Sequence, residues 1–283
     1  NLFIMKKVLL PTDFSTNAYN AILYALKLYG NTSCVFYLMH SYMVPIYTSE
    51  YNMANPLGMD LLEIYKKQAM DQLTALKEEL LLHHKNPKHR FEVHSAFGIL
   101  TDEIWEFVRK EEIDVVVMGT QGATGAKEVL LGSNTVHTIK KAICPVIAVP
   151  EDFAYENPKQ ILFPTDFEVD YKAQGIEELL YLAKEHIGFI NVLHMGRGER
   201  MKDFQNKNKE FLDQRLKPVA HLFHETPNNE VVEGINEYQL KNKVNLLVMI
   251  MNKHTFLESL FIKPVIRKIG LHLHIPFMVI PQS

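Results

Sequence analysis

Val8 to Ser15 reads VLLPTDFS, and Ile161 to Glu168 reads ILFPTDFE. An apolar run closed by Pro-Thr-Asp-Phe is a strand that ends in a turn, and here it occurs twice. The echo continues outward from it. FYLMHSY (Phe36–Tyr42) returns as INVLHMG (Ile190–Gly196), IDVVVMG (Ile113–Gly119) as VNLLVMI (Val244–Ile250), and CPVIAVP (Cys144–Pro150) as IPFMVIP (Ile275–Pro281). Four motifs in the same order mark a duplicated domain, and the period is too long for a solenoid. The boundaries expected are 1–150 and 158–283. The join, EDFAYENPKQ (Glu151–Gln160), is short and polar and reads as a tight linker that lets the halves pack.

Within each half, short apolar runs alternate with segments of helical periodicity. This is the pattern of α/β units around a parallel sheet covered on both faces, a doubly wound, Rossmann-like fold. Ser15, Thr16 or Asn17 can cap the first helix, whose body AYNAILYALKLY ends at Gly30. LLEIYKKQAMDQLTALKEELLLHH is a longer amphipathic helix. LTDEIWEFVRKEE is a third, with Thr101 as its cap and Trp105 on its apolar face. NTVHTIKKA is the fourth.

The 283 residues suit two domains, and their 47% hydrophobic and 22% charged residues are ordinary for a soluble globular chain. A net charge of −3 with dispersed basic residues argues against a nucleic-acid partner. No apolar run reaches the roughly 18 residues of a membrane span. Cys34 and Cys144 sit in apolar runs and read as buried thiols of a reducing compartment, so a cytoplasmic setting is expected. The opening NLFIMKK is too short for a signal peptide, and Met5 is a candidate start.

MGTQGATGAKEVLLGSNTV (Met118–Val136) follows the fourth strand and opens the fourth helix. First-turn N–H groups lack intrahelical partners, and the helix dipole favours anions there. Gly119 and Gly122 let backbone approach an anion closely. Gly132 and Ser133 come nine residues after Gly122, with the hydroxyl of Thr135 and the amide of Asn134 beside them. The loop is not a Walker A sequence, because Ala126 follows Gly125 and Glu128 follows Lys127. Nor is it the dinucleotide fingerprint, because Pro11-Thr12-Asp13 stands after the first strand where Gly-x-Gly is needed.

Glycine, two residues, glycine, nine residues, glycine-serine resembles the ATP-binding motif of the universal stress protein family. PTDFS after the first strand, the His closing YLMH, and CPVIAVP resemble the same family, so the chain is similar to a tandem member of it. The resemblance implies two tandem domains, each with a parallel five-stranded sheet in the order 3-2-1-4-5, and a nucleotide over the carboxyl ends of strands 1 and 4. It implies that Pro11 and Thr12 line the base pocket and that Asp13 meets the ribose or the adenine edge. Ser41 takes the position of a backbone contact to adenine, which Gly98 and Ile99 flank, and Met118 lies under the base or ribose. Gly119, Gly122, Gly132, Ser133, Asn134 and Thr135 would hold the phosphates, with Mg²⁺ travelling on them and no dedicated metal ligands.

Each feature also has a simpler reading. The glycine loop is a tight strand-to-helix turn, and Asp13, repeated at Asp166, is a turn former. His40, repeated at His194, is a half-buried strand-end histidine. The histidines between His83 and His89 form a solvated helix end, since their spacing fits no zinc pattern, and the pair His272 and His274 reads as strand entry. The loop Met43–Met59, rich in Tyr and Met, is either a lid or partner surface or packing against the sister half.

In the second copy Ile250, Lys253 and Lys263-Pro264 replace Gly119, Gly122 and Gly132-Ser133. Side chains obstruct the backbone approach and Pro264 removes an N–H, while proline still suits a first helical turn. The functional expectation is one ATP per chain, held in the first half of a regulatory, stress-response protein. The alternatives are a slow ATP-hydrolysing or adenylate-handling enzyme of this fold, and a nucleotide-free scaffold. No catalytic cluster stands out. The fifth strands are exposed edges in this order, so Val146–Val149 is expected to meet Phe277–Ile280 in an intramolecular pseudo-dimer. Further association of two chains would use the Tyr- and Met-rich loop.

Overall fold

The structure, a computed structural model, describes residues 5–44, 57–120, 131–169, 171, 175–195, 200–226, 231–251 and 274–281, with the side chains of 57–60 and 231–232 left aside. In the first half the elements run β1 (Lys6–Pro11), α1 (Thr16–Leu28), β2 (Cys34–Tyr42), α2 (Leu57–His83), β3 (His89–Phe97), α3 (Leu100–Glu111), β4 (Val115–Gly119), α4 (Ser133–Lys140) and β5 (Val146–Val149). In the second they run β6 (Gln160–Thr165), α5 (Glu177–Glu185), β7 (Phe189–His194), α6 (Asp203–Leu216), β8 (Ala220–Glu225), α7 (Val231–Lys241), β9 (Leu246–Met251) and β10 (Phe277–Pro281).

The strands form one ten-stranded sheet, β3-β2-β1-β4-β5-β10-β9-β6-β7-β8. This corrects the expectation of two separate parallel sheets of five strands. Within each half the pairing is parallel and the order 3-2-1-4-5 holds. At the middle the two edge strands pair antiparallel, Phe277 with Ala148, Met278 with Ile147 and Val279 with Val146, so the sheet is mixed and continuous. The physical cause is the one that makes open edges costly, since each edge leaves a row of backbone donors and acceptors that the other can satisfy.

Each face of the sheet carries one core that spans both halves. On one face α1, α2, α5 and α6 cover Val8, Phe36, Val117, Phe163 and Val248. On the other α3, α4 and α7 cover Leu9, Val116, Met118, Leu162 and Met249. Ser15 caps α1, its Oγ accepting from Ala18 N at 3.2 Å. Thr101 is not the cap of α3. That helix begins at Leu100 behind Ile99, without a side-chain cap, and Thr101 is buried inside its first turn. Trp105 is core, as its place in the pattern indicates.

The carbonyls at the end of α1 and just beyond it lie past the last intrahelical donors, and besides the amides of Gly30 on Lys27 O and Thr32 on Tyr29 O, side chains from elsewhere bond to them. Tyr155 Oη donates to Lys27 O, His186 Nε2 to Leu28 O at 2.9 Å, His89 Nε2 to Tyr29 O at 3.1 Å, Asn86 Nδ2 to Gly30 O and Lys88 Nζ to Asn31 O. His89 is therefore buried and structural, not part of a solvated helix end. Beside this junction Lys6 Nζ meets Glu178 Oε2 at 2.6 Å, and Tyr29 Oη donates to Glu178 Oε1 at 2.7 Å. Lys6 also lies over the Tyr181 ring. A charged pair thus ties β1 of one half to α5 of the other.

Candidate functional site

The turn after β1 is built by its own side chains. Thr12 Oγ1 accepts from Phe14 N at 3.0 Å, Asp13 Oδ1 accepts from Ser15 N at 3.1 Å, and Phe14 is left-handed at φ 62°. The second copy repeats this at Thr165, Asp166, Phe167 (φ 57°) and Glu168, with distances of 3.0 and 3.0 Å. In each half the left-handed Phe packs on the strand-end histidine, Phe14 on His40 and Phe167 on His194. His40 Nδ1 donates to Thr12 O at 2.8 Å. The repeated PTDF and His are therefore a structural unit, present with or without glycines in the neighbouring loop. Asp13 keeps its carboxylate exposed above the end of β1.

The β1–β4 ladder pairs Val8 with Val115 and Leu9 with Val116, while β1 continues to Pro11 and β4 to Gly119. This is the point where the strand order reverses, and in open α/β sheets the crevice outside such carboxyl ends is the ligand position. Asn17, in the first turn of α1, lies over Gly119, and a Cβ there would stand 2.8 Å from Asn17 Cγ and Oδ1. Gly119 is thus required by the protein's own packing, before any ligand. Sequence reasoning treated Asn17 only as a cap, and its burial was the missing signal.

Both ends of the glycine loop are drawn to β4 and β5. Thr120 N donates to Val149 O at 3.0 Å, and Gly132 N donates to Thr120 O at 2.6 Å. Gly132 precedes α4, and among the described residues no side chain caps the helix, so the first-turn amides of α4 stand over the end of β4 without a side-chain acceptor there. Ser133 and Asn134 are exposed, whereas Thr135 is buried with its hydroxyl donating to Gly119 O at 2.9 Å. Thr135 therefore fastens α4 to β4. Gly122 lies outside the described residues, as do Lys253, Lys263 and Pro264. Ile250, opposite Gly119 in the repeat, is buried in the core.

The residues expected at the base spread over the ends of β1, β2, β3 and β4. Pro11 pairs with Met39, Ser41 with Ala96, and Gly98 N donates to Tyr42 O at 3.1 Å. Two strand spacings separate β3 from β1, about 10 Å, the length of a nucleoside. Ile99 is exposed and Met118 is buried in the core beneath α3 and α4. Gly98 lies against the Glu103 carboxylate, which burial and the neighbouring Glu106 and Asp102 push above the ordinary carboxyl range. Glu103 joins His94, Phe97, Phe107 and Lys110 in a cleft under α3. The pattern alone does not single out Glu103. Among the described residues, no group of three or more His, Cys, Asp or Glu is placed to hold a metal.

A sequence model of the universal stress protein family matches residues 5–150, which contain every one of these site positions. The chain belongs to the universal stress protein family. A universal stress protein of Methanocaldococcus jannaschii is 29% identical over 149 residues, 52% of this chain and 82% of the relative. A second from the same archaeon is 44% identical over 52 residues, 18% of this chain and 32% of that one. An Archaeoglobus fulgidus universal stress protein has the same fold over the whole length, with a TM-score of 0.68 at 16% identity, covering 100% of this chain and 99% of that chain. Among the described residues no helix is long and apolar enough to cross a membrane.

Proposed function

We propose that the chain is an ATP-binding regulatory member of its family and holds one nucleotide, with Mg²⁺ on the phosphates, in its first half. The observation that carries this is the start of α4. Three first-turn amides, without a side-chain cap among the described residues and flanked by exposed Ser133 and Asn134, stand over the end of β4 at the point where the strand order reverses. Amides at a helix start with no side-chain cap among the described residues suit a polyphosphate. In this reading Pro11, Thr12 and Asp13 at the end of the neighbouring β1, Ser41 on β2, and Gly98 and Ile99 after β3 take the nucleoside, and Gly122 would join the phosphate contacts. In this reading 1–150 is the binding domain and 158–283 a copy whose Ile250 closes the cradle. The two halves act as a pseudo-dimer across the β5–β10 ladder. A cytoplasmic setting is supported by Cys34 and Cys144, free thiols that burial pushes up to about 12.

Mass spectrometry of ligand released from the purified chain, followed by ATP titration in a calorimeter, tests the reading. One site per chain is expected. Ser133→Pro keeps the helix start, since Ser133 is its first residue, and removes one amide donor. It should weaken ATP binding about tenfold or more. A chain that binds no adenine nucleotide, or that binds two, would refute the proposal.

A further inference from the structure

We propose that residues 150–157 form a strap along α1 through which occupancy of the glycine loop is passed to the second half. This rests on the nucleotide reading above. The strap follows one stripe of α1. Asn20 Nδ2 donates to Pro150 O and Glu151 O at 3.1 Å each and to Phe153 O at 3.3 Å. One turn on, the Tyr24 ring meets Phe153 and Tyr155 edge-on, at centroid distances of 6.1 and 5.4 Å. At the helix end Tyr155 Oη donates to Lys27 O. Beyond it Glu156 Oε2 accepts from Asn245 Nδ2 at 2.7 Å, and Asn245 Oδ1 accepts from Gln160 N at 3.0 Å, inside the second half.

The same helix and the same strand end reach the glycine loop. Asn17, three residues before Asn20 and so on the same face, is packed on Gly119. Thr120, which holds Gly132, donates to Val149 O, and the next residue, Pro150, begins the strap. A ligand against Gly119 and the start of α4 therefore acts on the strap from both sides, through α1 and through β5.

Two features poise the strap for release. An amide nitrogen carries two hydrogens, and Asn20 offers them to three carbonyls, so at any moment one strap carbonyl has at best a shared hydrogen. Tyr24 is fully buried beneath the strap, and its hydroxyl has no hydrogen-bond partner. Lifting the strap would hydrate that hydroxyl, which lowers the cost of opening there relative to its surroundings.

Hydrogen exchange of the full chain, with and without ATP, reads this directly. ATP should slow exchange of the Phe153 amide, which donates to Pro150 O within the strap, by about tenfold, within the range of ordinary coupling. Asn20→Leu should abolish that slowing and, because the coupling is reciprocal, weaken ATP binding measured by calorimetry by a similar factor. Tyr24→Phe should slow exchange of the strap without ATP by about fivefold, because the closed state no longer buries an unpaired hydroxyl. ATP bound with unchanged strap exchange, or Tyr24→Phe with exchange as fast as the parent chain, would overturn the strap inference alone. No ATP bound would overturn the nucleotide reading and this inference with it.

Discussion

Gly119→Ala isolates the contact that links α1 to the glycine loop. The new Cβ would stand 2.8, 2.8 and 2.9 Å from Asn17 Cγ, Oδ1 and Nδ2, where ordinary contacts begin near 3.4 Å. Asn17 is 3% exposed, so its side chain has no route into solvent. Overpacking of this kind costs about 1–3 kcal/mol. Replacing glycine in a strand returns about 0.5–1 kcal/mol of backbone entropy. The clash wins, and the net loss should be ~0.5–2 kcal/mol. Asn17→Ala removes the obstructing amide, so the Gly119→Ala and Asn17→Ala pair should be more stable than the sum of the single changes by about 1 kcal/mol or more. Urea unfolding of the four proteins, followed by circular dichroism, measures this. Gly119→Ala as stable as the parent, or additive single effects, would show that Asn17 yields and that glycine is not demanded by packing.

Glu178→Ala should cost about 3–5 kcal/mol, because it strands Lys6 in a mostly buried setting, and Lys6→Met with Glu178→Leu should recover much of it in the same unfolding assay. Ile187 is a β-branched residue at φ 51° and is 91% exposed, so Ile187→Asn should raise stability by about 1 kcal/mol, and an unchanged or lower melting temperature would contradict the strain. His89, His94, His186, His194 and His224 are all held below the ordinary imidazole range, by burial first. The unfolded chain then binds protons near pH 6.5 that the fold resists, so stability present above about pH 6.5 should fall as pH drops through the lower folded values. Melting temperatures between pH 7.5 and 5 that stay flat or rise on acidification would contradict this.

The sequence by itself determined the repeat, the alternation of strands and helices, a cap of α1 among Ser15, Thr16 and Asn17, and the helix start after Gly132. Each of these is written in spacing a few residues long, where apolar period and capping chemistry act through neighbouring backbone. It also marked the two apolar edge strands whose meeting joins the halves. Only tertiary structure decided that this meeting is one antiparallel ladder that turns two sheets into a single sheet of ten strands. It assigned Thr12 and Asp13 to a turn kept in both halves, Thr135 to fastening α4, and the glycine of Gly119 to Asn17. Asn20 against the strap, and Glu178 between Lys6 and Tyr29, belong to the same class. These contacts join residues far apart in the chain, and the energy that selects them comes from packing and from pairing buried polar groups, which no local pattern encodes.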